Sequence, residues 1–443
     1  MEQVLACHRT AVESPDVRAV HQLRKALRRC RTLASALREV DPTPEWRGML
    51  KASRVLFKAL GGLRDTHVLV IWLDRLAPDD DTAGRNLRYR LNQREVALTA
   101  TARTALAEFD RKAWRASIGP LAKSARHHPP GDPLFEQLAM RRLVAAYAQH
   151  RRALKGGSRT AWHVLRVDIK RLRYAIENFL PDQHARWGEE LALLQEALGD
   201  VHDLDVLWDE LQAAHLLGDP ADRTAWRARL DGVRDARLAT YRGLMTGPAA
   251  RWRTWRDELL AAERVTAANR AALALWGSHH GSDPQRAAWL ADRFEAALDL
   301  LDTQDALVRR IGVAAALLHG LAGTSRKRAS RKRVTQQLAG LPLPIDWVES
   351  ERNACAMVLG ALRRRAVKCP ECPDEVRPAV ELAVRLLQLL DALAPEGADL
   401  PRLSIAKSGG LLTFRVDPAP RNLHAPGRRL AAQLRAPIAI SPG

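Results

Sequence analysis

Apolar residues recur at three- and four-residue spacings along most of this chain, in a background rich in Ala, Leu, Arg and Glu. That period is the one an α-helix presents on a single face, and these residue types are good helix formers. The pattern predicts helices over 17–40, 45–60, 64–77, 82–116, 134–155, 160–180, 184–198, 203–215, 220–245 and 249–275. Pro and Gly punctuate them at Asp41-Pro42-Thr43-Pro44, Pro129-Pro130-Gly131-Asp132-Pro133, Gly156-Gly157, Gly218-Asp219-Pro220 and Gly247-Pro248. Strand alternation survives only near the C-terminus. There Leu403–Ala406 and Leu411–Val416 flank Lys407-Ser408-Gly409-Gly410 and read as a hairpin. The tail beyond Asp417, rich in Pro, Arg and Ala, is expected to be loosely ordered. The expected fold class is all-α with a small β-hairpin.

The helical region contains a repeat. Val20–Arg31 (VHQLRKALRRCR) matches Trp162–Arg173 (WHVLRVDIKRLR), and both read H-x-x-R-x-x-x-[R/K]-R-x-R. His21 aligns with His163, Arg24 with Arg166, Arg28 with Lys170, Arg29 with Arg171 and Arg31 with Arg173. A second pair follows in the same order: Leu60–Leu69 (LGGLRDTHVL) and Leu198–Leu207 (LGDVHDLDVL). Two motifs in one order at similar offsets point to two copies of one helical unit. The copies span about 1–130 and 134–262.

On a helical wheel of about 100° per residue, the motif His and basic residues fall within an arc of roughly 160°. Leu23, Ala26, Leu27 and Leu33 lie opposite in the first copy, and Leu165, Ile169, Leu172, Ile176 and Phe179 in the second. Each motif helix therefore has one core face and one cationic face. Like charges on one face repel one another by a few tenths of a kcal/mol per close pair, more where water is restricted. A polyanion removes that cost and adds counterion release and charge-assisted hydrogen bonds. The blander alternative is a solvated face laced to neighbouring carboxylates; the duplication weighs against it. Metal binding fits poorly, since Arg neighbours repel a divalent cation.

Composition agrees with this. The chain has 443 residues, enough for about two or three domains. Lys plus Arg is 70 against 51 Asp plus Glu, a net charge of +19, which asks for an anionic partner. The excess is about +11 in 1–260 and about +8 beyond, so neither half is merely a basic tail. Five cysteines form no disulfide framework, and a reducing compartment is expected. No secretory leader is visible, and the apolar run from Ile311 to Gly323 is too short to span a bilayer, so no membrane partner is expected.

The paired motif helices, the second continuing into Tyr174, and the Leu-Gly segments resemble the conserved histidine α-helical domain, CHAD, over roughly 1–262. The resemblance implies two pseudo-symmetric antiparallel helical bundles around a basic central cavity that binds inorganic polyphosphate. Carried onto this chain, the binding residues are His21, Arg24, Arg28, Arg29 and Arg31 with His163, Arg166, Lys170, Arg171 and Arg173. Lys51, Arg54 and Lys58 form an additional cationic stripe in the first copy, of which Arg54 and Lys58 join the candidate site. The comparable stretch of the second copy carries Glu189, Glu190 and Glu196. Asp65 and Asp203, in the Leu-Gly segments, are read as helix caps or Arg partners.

Residues 265–443 carry other signals. Ala314–Gly320 resembles the Ala-Ala-Leu-Leu-His-Asp segment of HD-type phosphohydrolases, with Gly320 where a metal-binding Asp belongs. Leu341–Arg364 and Glu381–Leu393 resemble the C-terminal helical part of the exopolyphosphatase / guanosine pentaphosphate phosphatase family, and the hairpin fits as well. That family's actin-like catalytic domain is absent from the sequence. His279 or His280 and Asp391 match outer ligands, but without the central Asp the set is poor, so the region reads as a degenerate HD-like domain. The run Arg326–Arg333 could grip the same polyanion, and Cys369-x-x-Cys372 reads as incidental thiols. No phosphate loop, nucleophile elbow or Glu-x-Glu-x-Lys strand of triphosphate-tunnel enzymes is present.

Two functions remain open on the sequence. One is a binding module for inorganic polyphosphate, or another polyanion, in the cytoplasm, targeted to polyphosphate granules or tuning polymer turnover. The other is a metal-dependent phosphohydrolase acting on polyphosphate or guanosine polyphosphates through His319. The first is preferred, with no catalytic residue, metal ligand or cofactor assigned. Nucleic acid is disfavoured: aromatics are 5% and none interleave the basic positions to stack bases.

Overall fold

Asp16 accepts a hydrogen bond from the Ala19 amide at 2.8 Å and so starts the first motif helix; Ser158 does the same for the second through Ala161 at 3.2 Å. Both are side-chain caps for otherwise orphaned amides. In this computed structural model the described residues are 1–38, 44–126, 131–301, 303, 305–323, 331–363, 372–418 and 424–442. The described residues are 77% helical with a small three-stranded sheet, an all-α protein with one β appendage. It divides into two units, Met1–Val265 and Thr266–Gly443.

The first unit contains α1 (Glu2–Glu13), α2 (Val17–Leu37), α3 (Pro44–Ala52), α4 (Arg54–Leu76), α5 (Thr82–Ala107) and α6 (Arg111–Ala125). It continues with α7 (Pro133–Gly156), α8 (Arg159–Phe179), α9 (Pro181–Ala213), α10 (Pro220–Met245) and α11 (Arg251–Leu259). Helix α12 (Ala262–His279) follows. The packing order is duplicated. Helix α1 lies on α2 and α4 on α5; α7 lies on α8 and α9 on α10. Equivalent helices of the two copies also meet, α2 with α8 and α4 with α9. Leu23, Leu27, Leu165, Ile169, Leu172 and Ile176 are fully buried, each contributing about 2 kcal/mol of apolar burial. The copies share a core: Leu69, Leu73, Leu87 and Leu91 pack in one cluster with Leu204, Leu207, Leu211, Trp226 and Leu230.

Several helices run longer or shorter than the pattern suggests. Helix α4 passes through Gly61 and Gly62, and α9 passes through Gly199, because the flanking leucines are buried and packing outweighs glycine's cost. The 82–116 segment breaks between α5 and α6, and 249–275 breaks between α11 and α12. Helix α1, absent from the expected set, buries Val4, Leu5 and Ala11. The punctuation at Asp41–Thr43 and Pro129–Pro130 lies outside the described residues.

The second unit contains α13 (Pro284–Leu300), α14 (Ala306–Leu317), α15 (Arg331–Leu338), α16 (Glu349–Ala361) and α17 (Arg377–Leu393). It ends in β1 (Arg402–Ser408), β2 (Leu411–Asp417), α18 (His424–Leu434) and β3 (Ile438–Pro442). Helix α14, which carries the long apolar run, packs against α13, α16 and α17 and is buried almost throughout. No helix among the described residues is long and apolar enough to cross a membrane. Strands β1 and β2 pair antiparallel, with Ile405 opposite Phe414. Gly409 and Gly410 both have positive φ, the backbone a two-residue hairpin turn requires. The tail departs from expectation. Strand β3 adds parallel to β2, with Ile440 opposite Phe414, and α18 buries Leu430 against the apolar core. Burial of these aliphatic side chains orders a segment whose Pro and Arg content reads as loose.

Candidate functional site

The motif helices meet at a cluster of cations. Arg28 Nη1 on α2 donates to the Tyr174 hydroxyl on α8 at 2.7 Å, joining the copies directly. One turn earlier, Arg24 Nη1 donates to the Phe57 carbonyl at 3.1 Å, with its guanidinium over the Phe57 ring at 4.9 Å. Gly61 makes room for it: a Cβ there would stand 3.0 Å from Arg24 Nη1. On α8, Lys170 lies one turn before Tyr174 and Arg166 one turn before Lys170. Burial, then Arg28, Arg166 and Arg24, push the Lys170 amine down to about 8, with Asp65 opposing. Burial and Arg28 also hold Arg24 below its ordinary value. The first copy's Arg24 and Arg28 thus act on the second copy's Lys170.

The histidines repeat the symmetry. His21 is exposed on its helix, yet partial desolvation of its ring holds it below its usual value, helped by Arg64 of α4 and by Arg28, Lys25 and Arg24 of its own helix. In the second copy His163 Nδ1 lies 3.3 Å from His202 Nδ1 of α9. Burial pushes His202 down to about 4, with Arg166, His163, Arg159 and Lys170 acting the same way. Beside it, burial raises the Asp203 carboxyl to about 6; Asp200 and Asp65 reinforce this, while Arg166 and Arg64 oppose it. Arg64 and His202 hold aligned positions in the Leu-Gly decapeptides, as Asp65 and Asp203 do. The wheel of α2 and α8 does not contain them; the decapeptide alignment is the signal that finds them.

The other candidates sit elsewhere. Arg29 pairs with Glu177 at 2.7 Å and is 46% exposed; Arg171 pairs with Asp168, one turn back on its own helix, at 3.0 Å. Arg31 donates to the Leu50 carbonyl and the Ser53 hydroxyl, both at 2.7 Å, and closes the break between α3 and α4. Arg54 acts there too: with burial, its charge lowers Arg31. Arg173 is half-buried with an unpartnered Nε, and Lys58 is exposed on α4. A cavity of about 420 Å³ lies between α1, α2, α3 and α6. Val4, Leu33, Trp46, Ile118 and Leu121 line it, with Arg29 at its edge, and none of the central cations reaches it.

Residues 1–212 match the CHAD domain family. The CHAD match ends in α9, although the shared core continues into Trp226 and Leu230 of α10. No curated protein matches the chain. The CHAD match does not reach the second unit, where the positions resembling HD phosphohydrolases are arranged as follows.

His319 is buried in a single 3-10 turn (His319–Ala322), its Nδ1 3.1 Å from the Ala316 carbonyl. Burial lowers it; Arg286 and Arg363 add to this, while the Ala316 bond and Asp391 oppose it. Asp391 is clamped between Arg286, at 2.5 Å, and Arg363. A Cβ at Gly320 would come within 2.3 Å of the Gly281 backbone, so this turn has no room for an aspartate. His280 stacks on Trp276 and its Nδ1 faces the Trp276 carbonyl. Among the described residues no group of His, Cys, Asp and Glu is arranged to hold a metal ion. Cys372 is buried, whereas Cys369 and 324–330 of the basic run lie outside the described residues.

Proposed function

We propose that the first unit binds inorganic polyphosphate through the cluster at the α2–α8 contact. The observation that carries this is convergence. Arg24 and Arg28 of one copy act on Lys170 of the other, Arg64 acts on His21 and Arg24 within the first copy, and His163, Arg166 and Lys170 act on His202 within the second, so that desolvation and repulsion lower His21, Arg24, Lys170 and His202. Such a site is destabilised empty and stabilised by closely spaced phosphates. The CHAD match supports the same reading. The remaining candidates, Arg29, Arg31, Arg54, Lys58, Arg171 and Arg173, extend the cationic surface for a long polymer. In the cell this binding would place the chain on polyphosphate granules or tune polymer turnover. The second unit is read as a degenerate HD-like domain, because Gly320 has no room for a carboxylate and Asp391 is committed to two guanidinium groups. Binding is therefore favoured over hydrolysis.

Titration of the full chain with long-chain polyphosphate tests the proposal. Micromolar or tighter, salt-sensitive binding that duplex DNA at matched salt does not displace is the expected result; no binding at low salt defeats it.

The site also predicts a pH dependence. Asp203, raised to about 6, loses its negative charge as pH falls through that value. His21 and His202 are held low when the site is empty, and a bound anion raises their proton affinity. Each proton gained favours the anion, so affinity should rise from about pH 7.5 to about pH 5.5, with net proton uptake on binding. Internal phosphates of a long polymer stay ionised throughout. Calorimetry in buffers of different ionisation enthalpy measures the uptake; a flat or falling affinity contradicts the assignment.

A further inference from the structure

Lys170 occupies an unusual place for an amine. Arg166 flanks it on its own helix, and Tyr174, one turn on, anchors Arg28 from the opposing helix, with Arg24 one turn beyond. Among the described residues no carboxylate lies within ion-pair reach of it; Asp65 on α4 offsets the surrounding charge only in part. The side chain is half-buried rather than sealed. A large fraction of the amine is therefore neutral near pH 8, and a neutral amine is a nucleophile.

We propose that Lys170 is an acylation site for small acyl phosphates, held by Arg24, Arg28 and Arg166 through the phosphate group. The cations that disfavour the ammonium are the ones that attract a dianionic electrophile. The nitrogen lone pair attacks the acyl carbon and an amide C–N bond forms. The bond from that carbon to the phosphate oxygen breaks, and phosphate leaves with the electron pair. The proton lost by nitrogen passes to the departing phosphate. The products are an Nε-acyl lysine and inorganic phosphate. This rests on reading the cluster as an anion site and adds a control to it. Acylation removes one central cation permanently, so the modified chain binds polyphosphate more weakly, and bound polyphosphate shields the amine.

The test uses acetyl phosphate on the full chain, with initial rates of each lysine followed by peptide mass spectrometry. Lys170 is expected to acetylate about tenfold faster than exposed Lys51, Lys112 and Lys155. Arg28→Gln and Arg24→Gln should slow Lys170 and leave those three unchanged. With the uncharged reagent N-acetoxysuccinimide the advantage of Lys170 should shrink; an equal advantage with both reagents overturns recognition through phosphate. A Lys170 rate no greater than that of the surface lysines overturns the proposal outright, even if polyphosphate binds. Fast acetylation without protection by polyphosphate supports the acylation site while removing the polyphosphate reading.

Discussion

Replacing Arg24, Arg28, Arg166 and Lys170 together by Gln should weaken polyphosphate binding by at least about a thousandfold at low salt. A hydrogen bond to a charged group contributes about 1.5–3 kcal/mol, and four losses that share one ligand fall short of additive. The salt dependence should flatten too, because fewer counterions are released per polymer bound. Stability should change little. Glutamine keeps a donor toward Phe57 and Tyr174, and removing like charges relieves repulsion in the empty site. Binding isotherms at several salt concentrations, beside thermal unfolding, separate lost affinity from lost fold. Arg29→Gln with Arg171→Gln is the contrast. Each of those arginines already faces a carboxylate, so the pair should cost only a few-fold. Equal losses from the two sets would mean that charge matters and the cluster does not.

The second large effect lies in the C-terminal unit. Asp391→Ala should destabilise it by about 3–5 kcal/mol, because it strands the buried Arg286 guanidinium and leaves Arg363 with Glu396, at 3.9 Å, as its remaining carboxylate. Arg286 is only 5% exposed and already donates to the Ala394 carbonyl, so it cannot swing into water without opening the core. Asp374, 88% exposed and paired with Arg377, is the control, and Asp374→Ala should cost less than about 0.5 kcal/mol. Chemical denaturation followed by a probe in this unit reads both. Replacing Arg286, Arg363 and Asp391 together by apolar residues of similar size should recover most of the loss. A neutral or stabilising Asp391→Ala would show that the clamp is not the reason this carboxylate is buried.

The sequence carries the helices well, since they follow from the spacing of apolar residues. The candidate site is legible in it only in part. A helical wheel places Arg24 and Arg29 within one arc, yet it knows nothing of what each arginine meets. Arg29 reaches Glu177 across the helix contact, Arg171 finds Asp168 on its own helix, and Arg31 is drawn to the Leu50 carbonyl and the Ser53 hydroxyl at the α3–α4 break. Arg64 and His202 enter from α4 and α9, so the wheel of α2 and α8 omits them; the aligned decapeptides point to them, and the helix contacts show which charges they meet. The expected helices end at 60 and resume at 64, but Gly61-Gly62 lies within one helix whose flanking leucines are buried, and Gly61 is where the Arg24 guanidinium passes. The third strand and α18 are similarly hidden, because short aliphatic segments gain their order from a core that local composition does not reveal.

The leucines common to α4, α5, α9 and α10 bind the duplicated halves into one inseparable body. Cut from its sibling, either half would turn a greasy flank toward water and lose its fellow helix at the α2–α8 and α4–α9 contacts. The halves are not identical within that union: His202 stands where its counterpart is Arg64.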